Sequence, residues 1–374
     1  MAHANSDQER VTSMDDIETT VDSDFHITER QEDFIKYIDD PYQGMLFDGE
    51  KEMTDNLSYL SSFYPSAGLF ATGVVSGKID NPSVRTKEAV KEGMEVLNID
   101  RVHADPTRNL YLGIVHHDDL AAGLANAYNS WVLDQIYDES EGIYGPVVVA
   151  PQKPNKAAEE IDDRKDEPGV ASVFIPSGGT HPPLGNEQYW PIYEAADNAG
   201  LPVVFHNASG TQIGNFPLQF QGTNRYFSNH VPTHAMTHMM HITDMITRGV
   251  PVEFDELDFV IQEAGLGWIP YLMRRMDNEY AEKREDVPML EQPPSEYIND
   301  QFYFTSQPIE GAKEPDYLHS IVRLLGPDNL MFSSDYPHLD FDHSDELLRG
   351  LRGELSNEEL ANIYGGTALE VFDF

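Results

Sequence analysis

From about residue 88 onward the chain repeats one unit: a short apolar stretch, a connection, then an amphipathic stretch of helical period. The apolar stretches fall at 101–104, 143–150, 171–176, 202–206, 258–263, 301–305 and 329–334, and an earlier alternating stretch at 20–26 makes eight. Helices fit between them at 87–97, 120–139, 155–166, 189–200, 230–248, 268–284 and 316–325. Such alternation implies parallel strands joined by right-handed crossovers, a sheet that must be covered by helices. Eight units favour closure into a barrel over an open doubly wound sheet, and no Gly-x-Gly-x-x-Gly follows any strand to support a dinucleotide fold. The expected fold class is α/β, a distorted (β/α)8 TIM barrel with an insertion after the first strand.

Residues 1–19 are polar and are expected to form a flexible leader ahead of a single domain at 20–374. Within it, 39–85 is rich in Tyr, Gly, Pro and Ser and reads as an insertion or lid, with disorder as the competing reading. Near the end, Ser356 and Glu359 form a capping-box pattern, and the helix it opens is expected to stop at Gly365-Gly366.

Charge narrows the partners. Sixty-five acidic against 24 basic residues give a net charge of -41, spread along the whole length. Such a surface repels nucleic acid and anionic membranes. Self-repulsion on this scale is relieved by salt, so a salt-requiring, halophile-type protein is expected. With no cysteine there is no disulfide, thiolate nucleophile or Cys-ligated zinc, and any metal must sit on His, Asp and Glu. No apolar run reaches membrane-spanning length and no signal-peptide pattern opens the chain, so a cytoplasmic location is expected. The expected partner is a small-molecule substrate, with a homodimer left open.

The catalytic groups of a TIM barrel sit at the C-terminal ends of its strands. The first strand ends on Asp24-Phe25-His26, whose period-two spacing points the acid and the imidazole to one side. The fifth ends on His206, the sixth on Gln262-Glu263, and the eighth runs into Ser333-Ser334-Asp335-Tyr336-Pro337-His338. A single His or Asp at a strand end is usually an ordinary hydrogen-bonding residue. Four strand ends offering hard oxygen and imidazole donors suit a divalent transition metal instead, with zinc the first expectation and manganese or iron the alternatives.

Several segments resemble the amidohydrolase-related family, the decarboxylase-like branch of the amidohydrolase superfamily. They include Asp22-Ser-Asp24-Phe-His26-Ile-Thr-Glu29, Ile175-Pro-Ser-Gly178, Pro191-Ile-Tyr-Glu-Ala-Ala196, Leu201-Pro-Val-Val-Phe-His206, Gly267-Trp-Ile-Pro270 and Ser333-Ser-Asp335-Tyr-Pro-His338. The resemblance spans roughly residues 20–374 and implies that Asp24, His26, His206 and Asp335 surround one metal ion. Relatives with two metals carry a carbamylated lysine on strand four, and Ala171 to Ile175 offers none. Where the family places a histidine at strand six, this chain has Glu263.

The function implied is a metal-dependent hydrolase that attacks a small, carboxylated substrate with a metal-activated water. Asp335 or Glu263 would handle the proton. A non-oxidative decarboxylase using the same site is the alternative, and a non-catalytic metal- or ligand-binding barrel the third reading. Substrate contacts are expected from His181, Arg225, His234, His238 and His338. His230, His234, His238 and His241 share one helix face, read as a polar face above the mouth in preference to a second metal site or a substrate wall. Tyr59, Phe63, Tyr64 and Phe70 would cover the substrate or pack the insertion. His116-His117 reads as a helix approach without chemistry.

Overall fold

The structure, a computed structural model, describes residues 11–43, 47–48, 51–52, 83–208, 211, 225–338 and 340–374. Most of the expected insertion at 39–85, including Tyr59, Phe63, Tyr64 and Phe70, lies outside the described residues. Eight strands are ordered as in sequence: β1 (Val21–Ile27), β2 (Arg101–Pro106), β3 (Ile143–Val148), β4 (Val170–Pro176), β5 (Val203–His206), β6 (Phe259–Ile261), β7 (Phe302–Thr305) and β8 (Leu330–Met331). Every neighbouring pair in that order is parallel. The strands are buried on both faces, which explains why they read as apolar runs without alternation.

Closure comes from the segment after β8. Ser23 N donates to Phe332 O at 3.0 Å, Asp335 N to Asp24 O at 2.8 Å, and His26 N to Tyr336 O at 2.7 Å. β8 is therefore shorter than its apolar run predicted, because residues 332–336 leave β7 to bond β1. A register irregularity in β1 between Asp22 and Phe25 lies at this same seam.

The main covering helices are α1 (Lys87–Leu97), α2 (Asp118–Gln135), α3 (Pro154–Arg164), α4 (Trp190–Ala199), α5 (Tyr226–Thr247), α6 (Ile269–Lys283), α7 (Pro315–Leu325) and α8 (Ser344–Leu351). Their ends are set locally. Thr86 caps α1 by accepting from Ala89 N, and Asn98 stops it in the left-handed conformation at φ 56°. His117 caps α2 by accepting from Leu120 N, so its role is structural as expected.

Two expectations are corrected. The helix opened by the Ser356–Glu359 capping box does not stop at Gly365-Gly366 but continues through a π turn, Asn362–Gly366, into Thr367–Phe372. A Cβ on Gly365 would lie 2.1 Å from Thr19 O, so this glycine permits a close backbone approach to the start of β1 and is no helix stop. The flexible leader is also too long as drawn: Val11, Met14 and Ile17 are buried, and Val11 N donates to Asn357 Oδ1 at 3.1 Å.

No helix among the described residues is long and apolar enough to cross a membrane.

Candidate metal centre

β1 places Asp24 and His26 on the same side, β5 ends on His206, and Asp335 follows β8 across the seam. All four side chains are fully buried and converge at the C-terminal mouth of the barrel. The two imidazoles are held by one nitrogen each. His26 Nδ1 donates to Pro106 O at 2.9 Å, and His206 Nδ1 to Asn207 O at 2.6 Å. A carbonyl can only accept, so each Nδ1 carries the proton and each Nε2 is turned toward the carboxylates.

Those inward atoms lack conventional partners. His26 Nε2, His206 Nε2 and both Asp24 oxygens are buried without a hydrogen bond among the described residues. Asp24 Oδ1 and Asp335 Oδ1 each lie 3.2 Å from His26 Nε2, and Asp24 Oδ1 lies 3.5 Å from His206 Nε2. Donors about 2.1 Å from a tetrahedral ion stand about 3.4 Å apart, so the spacing is that of ligands around a cation. The electrostatics agree. Burial pulls His26 down, yet Asp24 and Asp335 raise it well above an ordinary imidazole. Burial pushes Asp24 up, yet His206 and His26 hold it below the usual carboxylate range. The pocket favours positive charge between these groups, as a divalent ion would supply.

Asp335 has further partners. Its Oδ1 accepts from His338 Nδ1 at 2.6 Å and its Oδ2 from Gln307 Nε2 at 3.3 Å. His338 stacks on His26 with centroids 4.1 Å apart and reaches Thr107 Oγ1 through Nε2 at 3.1 Å. Glu29 fixes that neighbourhood: its carboxylate accepts from Thr107 N, Arg108 N and Asn109 N at 2.8–3.0 Å. The last residue of the Asp22–Glu29 segment thus clamps the loop whose Pro106 carbonyl orients His26.

Asp335 and Glu263 also share an unusual backbone, with φ of 61° and 45°. Left-handed conformation in a non-glycine residue costs about 1 kcal/mol or more and collects at functional sites. Glu263 lies beside the cage, Oε2 being 3.5 Å from His206 Nε2.

The remaining expected contacts separate into two groups. His234 and His238 are buried on α5, with neither ring nitrogen of either residue hydrogen-bonded among the described residues, and His234 Nδ1 is 3.6 Å from Glu263 Oε2. Burial drives both imidazoles down, that of His234 to about 3. His241 is different: it accepts from Leu184 N and donates to Ser177 O, which makes it a structural bracket. His181 and Arg225 are exposed, the first in the loop after β4 and the second at the N-cap of α5, and neither takes part in the contacts that assemble the cage. Residues 209, 210 and 212–224 of the loop leading to Arg225 lie outside the described residues.

The sequence reading missed a second polar group inside the barrel. His103 bonds Asp105 Oδ2 at 2.9 Å and Ser172 Oγ at 2.7 Å, and Gln262 Nε2 reaches Asp105 Oδ2 at 2.8 Å and Ser23 O at 2.6 Å. Ending the second strand at Ala104 hid it. His103 and Asp105 carry the same two-residue spacing as Asp24 and His26, which was the available signal.

Fold and site define a TIM barrel with a His/Asp cage at its catalytic mouth. The amidohydrolase family model matches residues 21–374, and the chain belongs to that family. Among characterised relatives it is 22% identical to the gamma-resorcylate decarboxylase of Polaromonas sp. over 267 residues, 66% of this chain and 76% of that protein. Its fold matches an amidohydrolase from Mycobacterium avium subsp. paratuberculosis K-10 with a TM-score of 0.75 at 18% identity, over 95% of this chain and 99% of the other. It also matches 5-carboxyvanillate decarboxylase from Novosphingobium aromaticivorans, solved with manganese and 4-hydroxy-3-methoxy-5-nitrobenzoic acid, with a TM-score of 0.69 at 20% identity over 95% and 96% of the two chains.

Proposed function

We propose that this protein is a metal-dependent, non-oxidative decarboxylase of a small aromatic carboxylate. This reverses the order of the two enzyme readings drawn from sequence. Decarboxylases of hydroxylated benzoates recur among its relatives, and manganese is bound in three of those structures. Manganese therefore replaces zinc as the proposed ion. The observation that carries the reading is the coupling of the cage to a proton-handling pair, Asp335 and His338, joined at 2.6 Å.

When bound, the ion would supply fixed positive charge for a substrate carboxylate or phenolate oxygen. Asp24, His26, His206 and Asp335 would hold it. In the reaction the bond between ring carbon and carboxylate carbon breaks, its electron pair stays on the ring carbon, and carbon dioxide leaves. A proton must then reach that carbon. Burial pushes Asp335 up, but His338 and His26 hold it below the usual carboxylate range, and the proton would pass through its hydrogen bond with His338 Nδ1. His338, with 22% of its side chain exposed, connects it to solvent. Glu263 would shape the opposite wall beside His206 and His234. The strongly acidic surface we read as an adaptation to high salt.

The test is product analysis with the manganese-loaded protein and a panel of hydroxybenzoates and other carboxylates. Carbon dioxide release in heavy water, with one deuterium at the vacated carbon, is expected. Oxygen-18 from labelled water entering the product would mark hydrolysis and overturn the proposal.

A further inference from the structure

Beside the cage lies a second set of donors that the proposed reaction does not require. We infer that His230, His234 and Glu263 form a second divalent-metal site, with Glu263 standing between the two ions and Asp340 at its outer edge.

Three observations carry this. The first is spacing. His230 and His234 are four residues apart on α5 and so share one helix face, and their rings meet edge to face with centroids 5.4 Å apart. Glu263 Oε1 lies 3.8 Å from His230 Nε2, Glu263 Oε2 lies 3.6 Å from His234 Nδ1, and Asp340 Oδ2 lies 3.6 Å from His230 Nε2. These separations exceed normal hydrogen bonds, yet they match the edges of a coordination shell, about 3.4 Å for donors 2.1 Å from an ion.

The second is His234 itself. It is 7% exposed, and neither ring nitrogen has a hydrogen-bond partner among the described residues. An imidazole buried with both nitrogens unsatisfied is costly unless something fills the gap, and His241, seven residues along the same helix, shows that α5 can supply protein partners when a histidine is structural. The third is charge. Asp24, Asp335, Glu263 and Asp340 crowd one pocket, and among the described residues their ion-pair partners are all histidines, with no lysine or arginine within 4.0 Å. One divalent ion balances Asp24 and Asp335. A second balances Glu263 and Asp340.

Glu263 Oε2 is also 3.5 Å from His206 Nε2, so the same carboxylate faces both donor sets. The ligands suit manganese, iron or zinc. The inference does not depend on decarboxylation, and its test does not measure turnover.

The experiment is manganese binding to the full-length chain after chelator treatment, read as tightly bound equivalents and as the electron paramagnetic resonance signal. Wild-type protein is expected to bind two equivalents and give the signal of an exchange-coupled pair. His234→Gln, and separately the half-buried His230→Gln, are expected to bind one and give an isolated-ion signal. The second variant covers the case in which the first fails to fold. A single equivalent in the wild type at saturating manganese would overturn the inference. So would a second equivalent that survives both substitutions, since that ion would sit elsewhere on the acidic surface.

Discussion

Two buried His–Asp groups occupy this barrel, and they differ in where their hydrogen bonds end. In the inner group every nitrogen of His103 is committed, one to Asp105 and one to Ser172, and Gln262 ties Asp105 to β1. At the mouth, His26 and His206 each commit one nitrogen to a backbone carbonyl and leave the other facing carboxylates with no hydrogen bond among the described residues. Both groups are equally buried, so burial does not distinguish them. The difference lies in the imidazoles: His103 is bonded at both nitrogens, although Asp105 Oδ1, Gln262 Oε1 and Ser23 Oγ beside it have no hydrogen-bond partner among the described residues. A buried imidazole bonded at both nitrogens stabilises a fold, whereas one left open at a nitrogen stabilises it only when a ligand completes it.

The comparison can be broken by substitution. Asp335→Asn is expected to lower kcat on the order of 10²–10⁴-fold while the thermal midpoint of the metal-free protein holds, and near-normal turnover would remove Asp335 from the chemistry. The seam between β1 and β8 offers a pH test through Asp22, whose carboxylate accepts from Ser334 N and Asp24 N at 2.9 and 3.2 Å. Burial raises Asp22 to about 7, against only partial lowering by Ser334. The folded state therefore holds a proton that the unfolded chain releases near pH 4. Asp22 contributes most below that pH, and the contribution, on the order of 4 kcal/mol, is lost as pH rises through about 7. Asp22→Asn should flatten this part of the stability profile in urea titrations, and an unchanged slope would contradict the assignment.

His103→Ala should do the reverse of a mouth substitution. It is expected to cost about 2–4 kcal/mol of stability by stranding Asp105 and Ser172, while metal affinity stays near wild type. Calorimetry beside metal titration separates the two effects. Glu29→Gln should loosen the loop that orients His26 and His338, weakening metal affinity about 10-fold with modest change in stability. The smallest and broadest effect is ionic: with a net charge of -41, the unfolding midpoint should rise between low and molar potassium chloride, and no rise would remove the salt requirement.

Sequence made the barrel legible because parallel strands buried on both faces leave unbroken apolar runs, and because those runs lead into His206, Glu263 and Asp335. Asp24 and His26 were visible through strand alternation, and His338 through its motif. What sequence hid depends on tertiary closure. Nothing local shortens β8 to Leu330–Met331, since the competing partner is β1, about three hundred residues earlier. The helix-face pattern grouped four histidines on α5 but could not divide them. Only their surroundings separate His241, bonded at both nitrogens, from His234 and His238, bonded at neither among the described residues. Asp340 carried no signal because it reaches the site from a loop.

The central claim is that the open network at the mouth is completed by a divalent ion. Metal content after chelation and reloading, followed together with the thermal midpoint, tests it most directly. Wild-type protein should take up at least one tightly bound equivalent and unfold at higher temperature when loaded, and a double variant Asp24→Asn, His206→Gln should lose both responses. Wild-type protein that binds no stoichiometric metal, or a double variant that responds as strongly, would contradict the account.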